Sequence, residues 1–246
     1  MLERWVAASL VLAVGIIVHF AEDRKPLTSV NRRRHLLFDF LFIGAAVLLV
    51  AGITELFLTE AIQRPFEALG LGALVTEVPM FARILFALIV GDLGYYIIHR
   101  SMHHPWLWNA HRFHHSTQEI WWFSGQRTSV LNSLFIRIGY LAGFHIFEVT
   151  PTGMIVTATL LLAVNFWVHA NLDVSLGPLN RIFVTPRFHR VHHAMVERAE
   201  GRNFGNILSV WDYLFGTALA PDAELDDAEK GFEVGGGEAV RQLIGV

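Results

Sequence analysis

The chain has 246 residues, 53% of them hydrophobic and 17% charged, with a formal net charge of −3 that gives no reason to expect nucleic acid as a partner. Its mean hydropathy of +0.44 is far above that of a soluble globular domain and favours a lipid bilayer as the surrounding solvent. With 13 histidines and no cysteine, the sequence excludes thiolate metal sites, iron–sulfur clusters, disulfides and cysteine nucleophiles.

Five apolar stretches are each close to the ~17 to 25 residues that a membrane helix needs. In chain order they are 5–20, 36–58, 78–98, 130–149 and 152–168. The first lies where a signal peptide would, but it is not followed by a small-x-small cleavage site, so we expect a retained anchor. The sequence therefore predicts an all-α, integral-membrane helical bundle of about four to five membrane helices.

The charges between these stretches predict an orientation. The loop after the first stretch is basic, whereas the loop at 59–77 carries three glutamates and one arginine. By the positive-inside rule the first loop is cytoplasmic, which places the N-terminus outside. Residues 99–127 and those after 169 then share the cytoplasmic face, as a helical cap on a multi-pass protein. We expect the plasma membrane, or the inner membrane of a bacterium.

Eight histidines form three clusters, here named boxes 1 to 3. Box 1 has two histidines four residues apart, which share one face of a helix. Boxes 2 and 3 share the spacing His-x-x-His-His, and in a helix the adjacent pair diverges by about 100°, so that one backbone can serve two metals. The boxes are His99 and His103; His111, His114 and His115; and His189, His192 and His193.

A lone histidine at the end of a membrane helix is usually an interfacial residue. Eight in three clusters differ, because buried imidazoles need partners and would repel one another once protonated, which favours a metal centre. So many ligands indicate two ions of high coordination number, and imidazole suits iron, zinc and copper alike. Charge balance predicts carboxylates behind the ligands, and the candidates are Asp92, Asp173 and Asp212. His104, which directly follows a ligand, is a further candidate for such a position.

Other residues near the boxes leave alternatives open. Arg100, Arg112 and Arg190 each follow the first histidine of a box, and they can pair either with carboxylates or with lipid phosphates. His19 and His145 stand apart from the boxes, as does His35, and none of them is assigned to a metal. Without a long linker or repeat, we expect one membrane-embedded domain over 1–246, with the boxes in a core at 92–217. Its acidic, glycine-rich end at 221–246 is predicted to be a surface tail.

Residues 92–217 resemble the fatty acid hydroxylase and sterol desaturase superfamily, whose three histidine boxes match those above. The flanking runs at 92–100, 107–108 and 203–217 match as well. Within the superfamily, the runs at 126–130, 166–169 and 176–179 are most similar to the alkylglycerol monooxygenase branch and its bacterial relatives. The resemblance implies a further metal ligand, His169.

The resemblance also implies a function: a di-iron oxygenase that uses O₂ to hydroxylate or desaturate a C–H bond of a lipid. The substrate would be an alkyl or acyl glycerolipid, a fatty acyl chain or a sterol, with no catalytic side chain beyond the metal centre. Electrons would come from a reduced pterin or from a cytochrome- or ferredoxin-type donor. The alternative is a membrane haem or metal-transfer protein, which would need ligands facing each other across several spans or strung along a path.

Overall fold

The computed structural model describes residues 2–32, 49–50, 52–70, 75, 77–235 and 237–246. This part of the chain is helical and forms isolated β-bridges but no strand, which confirms the all-α prediction. Its helices are α1 (Leu2–Arg24), α2 (Thr59–Ala68, after a π-helical turn at Thr54–Leu58), α3 (Met80–Met102), α4 (Trp108–His115), α5 (Val130–Ile146), α6 (Pro151–Val168), α7 (Pro186–His192), α8 (Val210–Leu214), α9 (Ala223–Asp227) and α10 (Ala239–Ile244).

Three helices in the described part are long and apolar enough to cross a membrane: Trp5–Arg24, Met80–Met102 and Pro151–Val168. They correspond to the first, third and fifth predicted stretches. The fourth stretch is α5, which is apolar but only 17 residues long. Most of the second stretch, 36–58, lies outside the described residues. The length and apolar composition of the three helices indicate a membrane protein.

Helices α3 and α5 approach each other closely because glycines line their contact. A Cβ added to Gly94 would lie 2.8 Å from the Cα of Gly139, and one added to Gly143 would clash with the carbonyl oxygen of Ala87. Small residues of this kind let membrane helices pack backbone to backbone. The packing places box 1, at the end of α3, beside the beginning of α5.

Two buried carboxylates tie the loops between helices to the bundle. Glu22, near the end of α1, accepts hydrogen bonds from the backbone N–H groups of Trp122 (2.8 Å) and Asn171 (2.7 Å). Asp92, in the middle of α3, accepts from the backbone N–H groups of Ile207 and Leu208, both at 3.0 Å. The ends of α1, α3 and α6 and the beginning of α5 therefore meet under a cap, formed by α4, α7, α8, α9, α10 and their loops.

Residues 221–246 differ from the expected surface tail, because parts of them pack into the cap. Leu225 is fully buried in a cluster with Val191 of α7. Lys230 donates to the carbonyl oxygens of Leu225 (3.0 Å) and Ala228 (2.6 Å), and the acidic Asp226 forms an ion pair with Arg187. The acidic composition suggested a solvated segment, but Asp226 and Lys230 have protein partners, and Leu225, next to Asp226, is buried.

Candidate metal centre

The structure brings the nine predicted histidines into two groups, and within each group the ligand nitrogens lie within 4.8 Å of one another. Eight of the nine are buried and His103 is half-buried. Site A consists of His99, His103, His111, His115 and His192, and site B consists of His114, His169, His189 and His193.

The adjacent histidines of boxes 2 and 3 divide between the two sites, as the helical offset predicted. His114 belongs to site B and His115 to site A, whereas His192 belongs to site A and His193 to site B. Each of the helices α4 and α7 therefore contributes to both sites. Box 1 contributes only to site A, and His169, just after α6, contributes only to site B.

The Nε2 atoms point inward and approach one another. In site A, the Nε2 atom of His99 lies 2.9 Å from that of His111, and the Nε2 atoms of His115 and His192 are 3.0 Å apart. In site B, the Nε2 atom of His169 lies 3.3 Å from that of His114 and 3.1 Å from that of His189.

The Nδ1 atoms of five rings point outward to oxygen acceptors. Because a carbonyl oxygen can only accept, each of these Nδ1 atoms carries the hydrogen and leaves a lone pair on Nε2. The acceptors and the Nδ1–oxygen distances are Phe204 O for His99 (2.8 Å), Asn132 Oδ1 for His111 (2.7 Å), Arg202 O for His192 (2.8 Å), Arg127 O for His114 (3.0 Å) and Asn165 O for His169 (2.9 Å).

Two Nε2 pairs therefore face each other with lone pairs on both sides, His99 with His111 and His114 with His169. Protons do not resolve the repulsion, since burial lowers the pKa values of His111 and His169 well below the usual range and that of His114 to about 4. Near neutral pH these rings are uncharged. A metal cation in each site would turn the lone-pair contacts into coordination bonds, so the donor sets fit two ions.

The polar groups that we predicted behind the ligands hydrogen-bond to none of the nine histidines. Asp212 is linked to His99 through Phe204. Its carboxylate accepts from the backbone N–H of Phe204 (2.8 Å), and the carbonyl oxygen of Phe204 accepts from His99. Asp92 holds the loop after box 3. Asp173 pairs with Arg187 at the surface, and His104 is exposed.

Most of the groups that orient the ligands are backbone carbonyls, which sequence reasoning missed because every residue has one. Asn132 is the exception. Its Nδ2 donates to Thr128 Oγ1, which leaves Oδ1 for His111. An asparagine one turn into the apolar helix α5 was the available signal, because a buried amide there needs polar partners.

His103 is the least buried of the nine clustered histidines. Its Nε2 atom is buried and has no hydrogen-bond partner among the described residues. The ring of Trp108, the first residue of α4, lies 5.3 Å from the ring of His103 and 5.2 Å from that of His115, measured between centroids. Trp108 therefore packs against two ligands of site A.

Two clusters of largely buried imidazoles that could each hold a metal ion lie at one end of a helical bundle in a membrane protein. The fatty acid hydroxylase family profile matches residues 84–217, which contain all nine histidines. The chain belongs to this family. The resemblance recognised in the sequence is confirmed.

Curated relatives agree with the family and with the alkylglycerol branch. An ornithine lipid hydroxylase of Rhizobium tropici, OlsE, is 33% identical over 145 residues, covering 58% of this chain and 44% of the relative. Human alkylglycerol monooxygenase is 36% identical over 137 residues, covering 54% and 30%. Methylsterol monooxygenase 1 of Rattus norvegicus is 27% identical over 154 residues, covering 61% and 50%. The chain thus spans half or less of these relatives' lengths. No solved structure matches it.

Proposed function

We propose that this protein is an O₂-dependent oxidoreductase that hydroxylates a C–H bond of a membrane lipid, with one iron ion in site A and one in site B. The observation that carries the proposal is that each site contains two Nε2 atoms whose lone pairs face each other. These Nε2 atoms are 2.9 Å apart in site A and 3.3 Å apart in site B. The names of the relatives, which are lipid hydroxylases and monooxygenases, favour iron and O₂ over other uses of such sites.

The protein's own part is to hold two nitrogen-only sites rigidly and largely out of water. Bound iron would supply the activation of O₂, which amino-acid side chains cannot perform on an unactivated C–H bond. The carbonyl oxygens of Phe204 and Asn165 fix the rings of His99 and His169, so the ring nitrogens face inward before any ion binds.

Access at His103 suits a lipid substrate. The sites lie where membrane helices end, so a lipid can approach from the bilayer while an electron donor approaches from water. Trp108 packs against the His103 ring and would contact the carbon chain near the reacting position. Eight buried ligands on the other sides leave His103 as the ligand most accessible to substrate.

We place this centre on the cytoplasmic face. Glu22 joins the end of α1 to the cap, and the basic residues Arg24 and Lys25 lie within three positions of it. A basic segment at that end favours the cytoplasm by the positive-inside rule.

The same geometry argues against the haem alternative. Five imidazoles converge in site A and four in site B, and their close Nε2 contacts leave no space for a macrocycle between them. The optical spectrum of the purified protein tests this point. A strong haem band would refute the proposal, and non-haem iron without such a band supports it.

Among lipids we propose a glycerol-type or acyl lipid hydroxylated at a carbon beside a polar group, rather than a sterol. The support is the alkylglycerol-like pattern at 126–130, 166–169 and 176–179. With an alkylglycerol, O₂, two electrons and two protons, one oxygen atom would be inserted into a C–H bond of the ether carbon and the other would leave as water. The hemiacetal would then break down to an aldehyde and glycerol.

The purified enzyme should be given an alkylglycerol, an acyl lipid and, separately, a sterol, each with O₂ and a reduced pterin. A chemical reductant shown to reduce the bound iron serves as the control for the donor. Aldehyde or hydroxylated acyl lipid, identified by mass spectrometry, supports the proposal. An oxidised sterol with no oxidised glycerolipid would contradict it.

A further inference from the structure

An apolar groove of about 620 Å³ lies on the outside of the cap, beside the end of α3. Its lining includes Ile97, Arg100, His104, Trp106 and Phe215, and none of the nine clustered histidines. A volume of this size is within the range of small-ligand sites. The groove is therefore separate from sites A and B.

The three arginines that follow the first histidine of each box have different surroundings. Arg190 is buried and donates to Thr28 Oγ1 (2.8 Å). Arg112 lies 4.0 Å from a Glu238 oxygen and over the ring of Phe232. Both are engaged by the protein itself, so neither is available for a lipid.

Arg100 lies in the groove and is exposed. Its NH1 donates a long hydrogen bond of 3.4 Å to the Tyr96 hydroxyl, and none of the ion pairs formed among the described residues includes it. Burial raises the pKa of the Asp212 carboxyl and the nearby charge of Arg100 opposes that shift, but no ion pair among the described residues joins the two, so the exposed guanidinium keeps N–H donors for a lipid phosphate.

The groove places the Arg100 cation, which can bind a phosphate, next to an apolar surface that can contact an acyl chain. Ile97 is 53% exposed and precedes Arg100 by about 4.5 Å along α3, nearly one helical turn. Trp106 is 89% exposed, and Leu214 and Phe215 beside the groove are 68% and 51% exposed. Aromatic residues exposed at the end of a membrane helix are typical of the bilayer interface.

We propose that this groove binds an anionic phospholipid of the surrounding bilayer, with its phosphate at Arg100 and an acyl chain along Ile97, Trp106 and Phe215. A guanidinium can pair with two phosphate oxygens at once. His104 adds a donor: its Nδ1 faces the backbone N–H of Trp106 at 3.5 Å, which leaves the hydrogen on Nε2.

Trp106 reports on the groove because it is so exposed. The full-length protein, in neutral nanodiscs, is titrated with brominated phosphatidylglycerol or brominated phosphatidylcholine, and tryptophan quenching is recorded. The difference between the parent and Trp106→Phe isolates the signal of Trp106. Both lipids carry a phosphate, but the choline cation balances its charge in phosphatidylcholine. We expect phosphatidylglycerol, whose headgroup has a net negative charge, to quench this signal at about five- to ten-fold lower concentration, as the attraction of one arginine to an anionic headgroup would give.

Arg100→Gln should remove this preference, and Arg100→Lys should keep most of it. Arg112→Gln is the matched control, since it removes the arginine at the same position of box 2 and should leave the preference unchanged. If Arg100→Gln fails to fold, as judged by circular dichroism, His104→Ala at an exposed position serves instead and should weaken binding of phosphatidylglycerol two- to three-fold, roughly one neutral hydrogen bond.

Equal quenching by both lipids, or an unchanged preference in the folded Arg100→Gln or His104→Ala protein, would overturn the proposal. So would quenching of Trp106 by aqueous iodide but by neither lipid, which would indicate a surface for a water-soluble partner. Neither reductant nor O₂ is present, so the outcome is independent of the proposed oxygenase activity.

Discussion

Replacing Asn132 by alanine should weaken metal binding in site A and leave site B intact. Asn132 Oδ1 accepts from His111 Nδ1 at 2.7 Å, and the asparagine side chain is buried. Alanine leaves the buried Nδ1–H of His111 without its acceptor, at a cost of about 1 to 3 kcal/mol. It also frees the ring to turn away from its neighbours in site A.

Loss of a partner of this kind typically lowers metal affinity about 10- to 100-fold, or about 1.4 to 2.8 kcal/mol. The assay is an anaerobic chelator titration of the protein reconstituted with two Fe²⁺ ions. We expect two steps in Asn132→Ala, one shifted 10- to 100-fold and one at the parent position, because Asn132 contacts a ligand of site A alone.

Asn206→Ala is the matched control. Asn206 is a similarly buried amide that donates to the Tyr140 hydroxyl at 2.8 Å and is not bonded to a clustered histidine. It should lower the free energy of unfolding without shifting either chelator step. Equal shifts in the two variants, or a shift of both steps in Asn132→Ala, would refute the reasoning, since the change would then report general loosening.

Three further changes test other parts of the structure. Gly125→Ala should lower the iron content of site B, because an added Cβ would clash with the His169 ring. Gly52→Ala should leave the iron content unchanged, because a Cβ added there would meet open space among the described residues. Equal loss of iron in both variants would contradict this prediction. Trp108→Ala should shift the position of oxidation along the lipid chain while Trp108→Phe largely keeps it, as mass spectrometry of the products would show; identical products in both would exclude Trp108 from the substrate path. In this cysteine-free chain, Arg64→Cys should react with an impermeant thiol reagent on intact cells and Glu200→Cys should not; labelling at position 200 would reverse the proposed orientation.

The composition of the two sites could be predicted in part because helix geometry is regular. The adjacent His114 and His115 diverge on α4, and His192 and His193 diverge where α7 ends, so each pair divides between the sites. Which histidines meet across the chain could not be predicted from spacing. Membership of His169 came from the family resemblance, because one histidine after an apolar helix has no spacing pattern.

The groups around the ligands were harder to predict. The carbonyl oxygens of Phe204 and Arg127 orient His99 and His114, and a carbonyl has no signature in the sequence. Asp92 was a reasonable candidate by residue type, yet its carboxylate satisfies backbone N–H groups of a distant loop. Only the tertiary fold decides between those uses of a buried carboxylate.

The C-terminal segment shows the limit of composition. Its acidic residues and glycines suggested a solvated tail, but one buried leucine, Leu225, and the buried Lys230 hold it in the cap. Gly231, with φ of +66°, passes so close to the backbone of Thr117 that a Cβ would clash there. The contact between Gly231 and Thr117 joins residues more than a hundred positions apart, which local composition does not report.

The central claim is that the nine histidines hold two iron ions, and iron analysis of the anaerobically purified protein tests it most directly. The parent should contain two non-haem irons per chain. His103→Ala and His114→Ala should each lose iron mainly from one site, while His145→Ala, outside both sites, should keep two. A parent protein that binds no iron under reducing conditions, or iron loss that is equal in all three variants, would contradict the account.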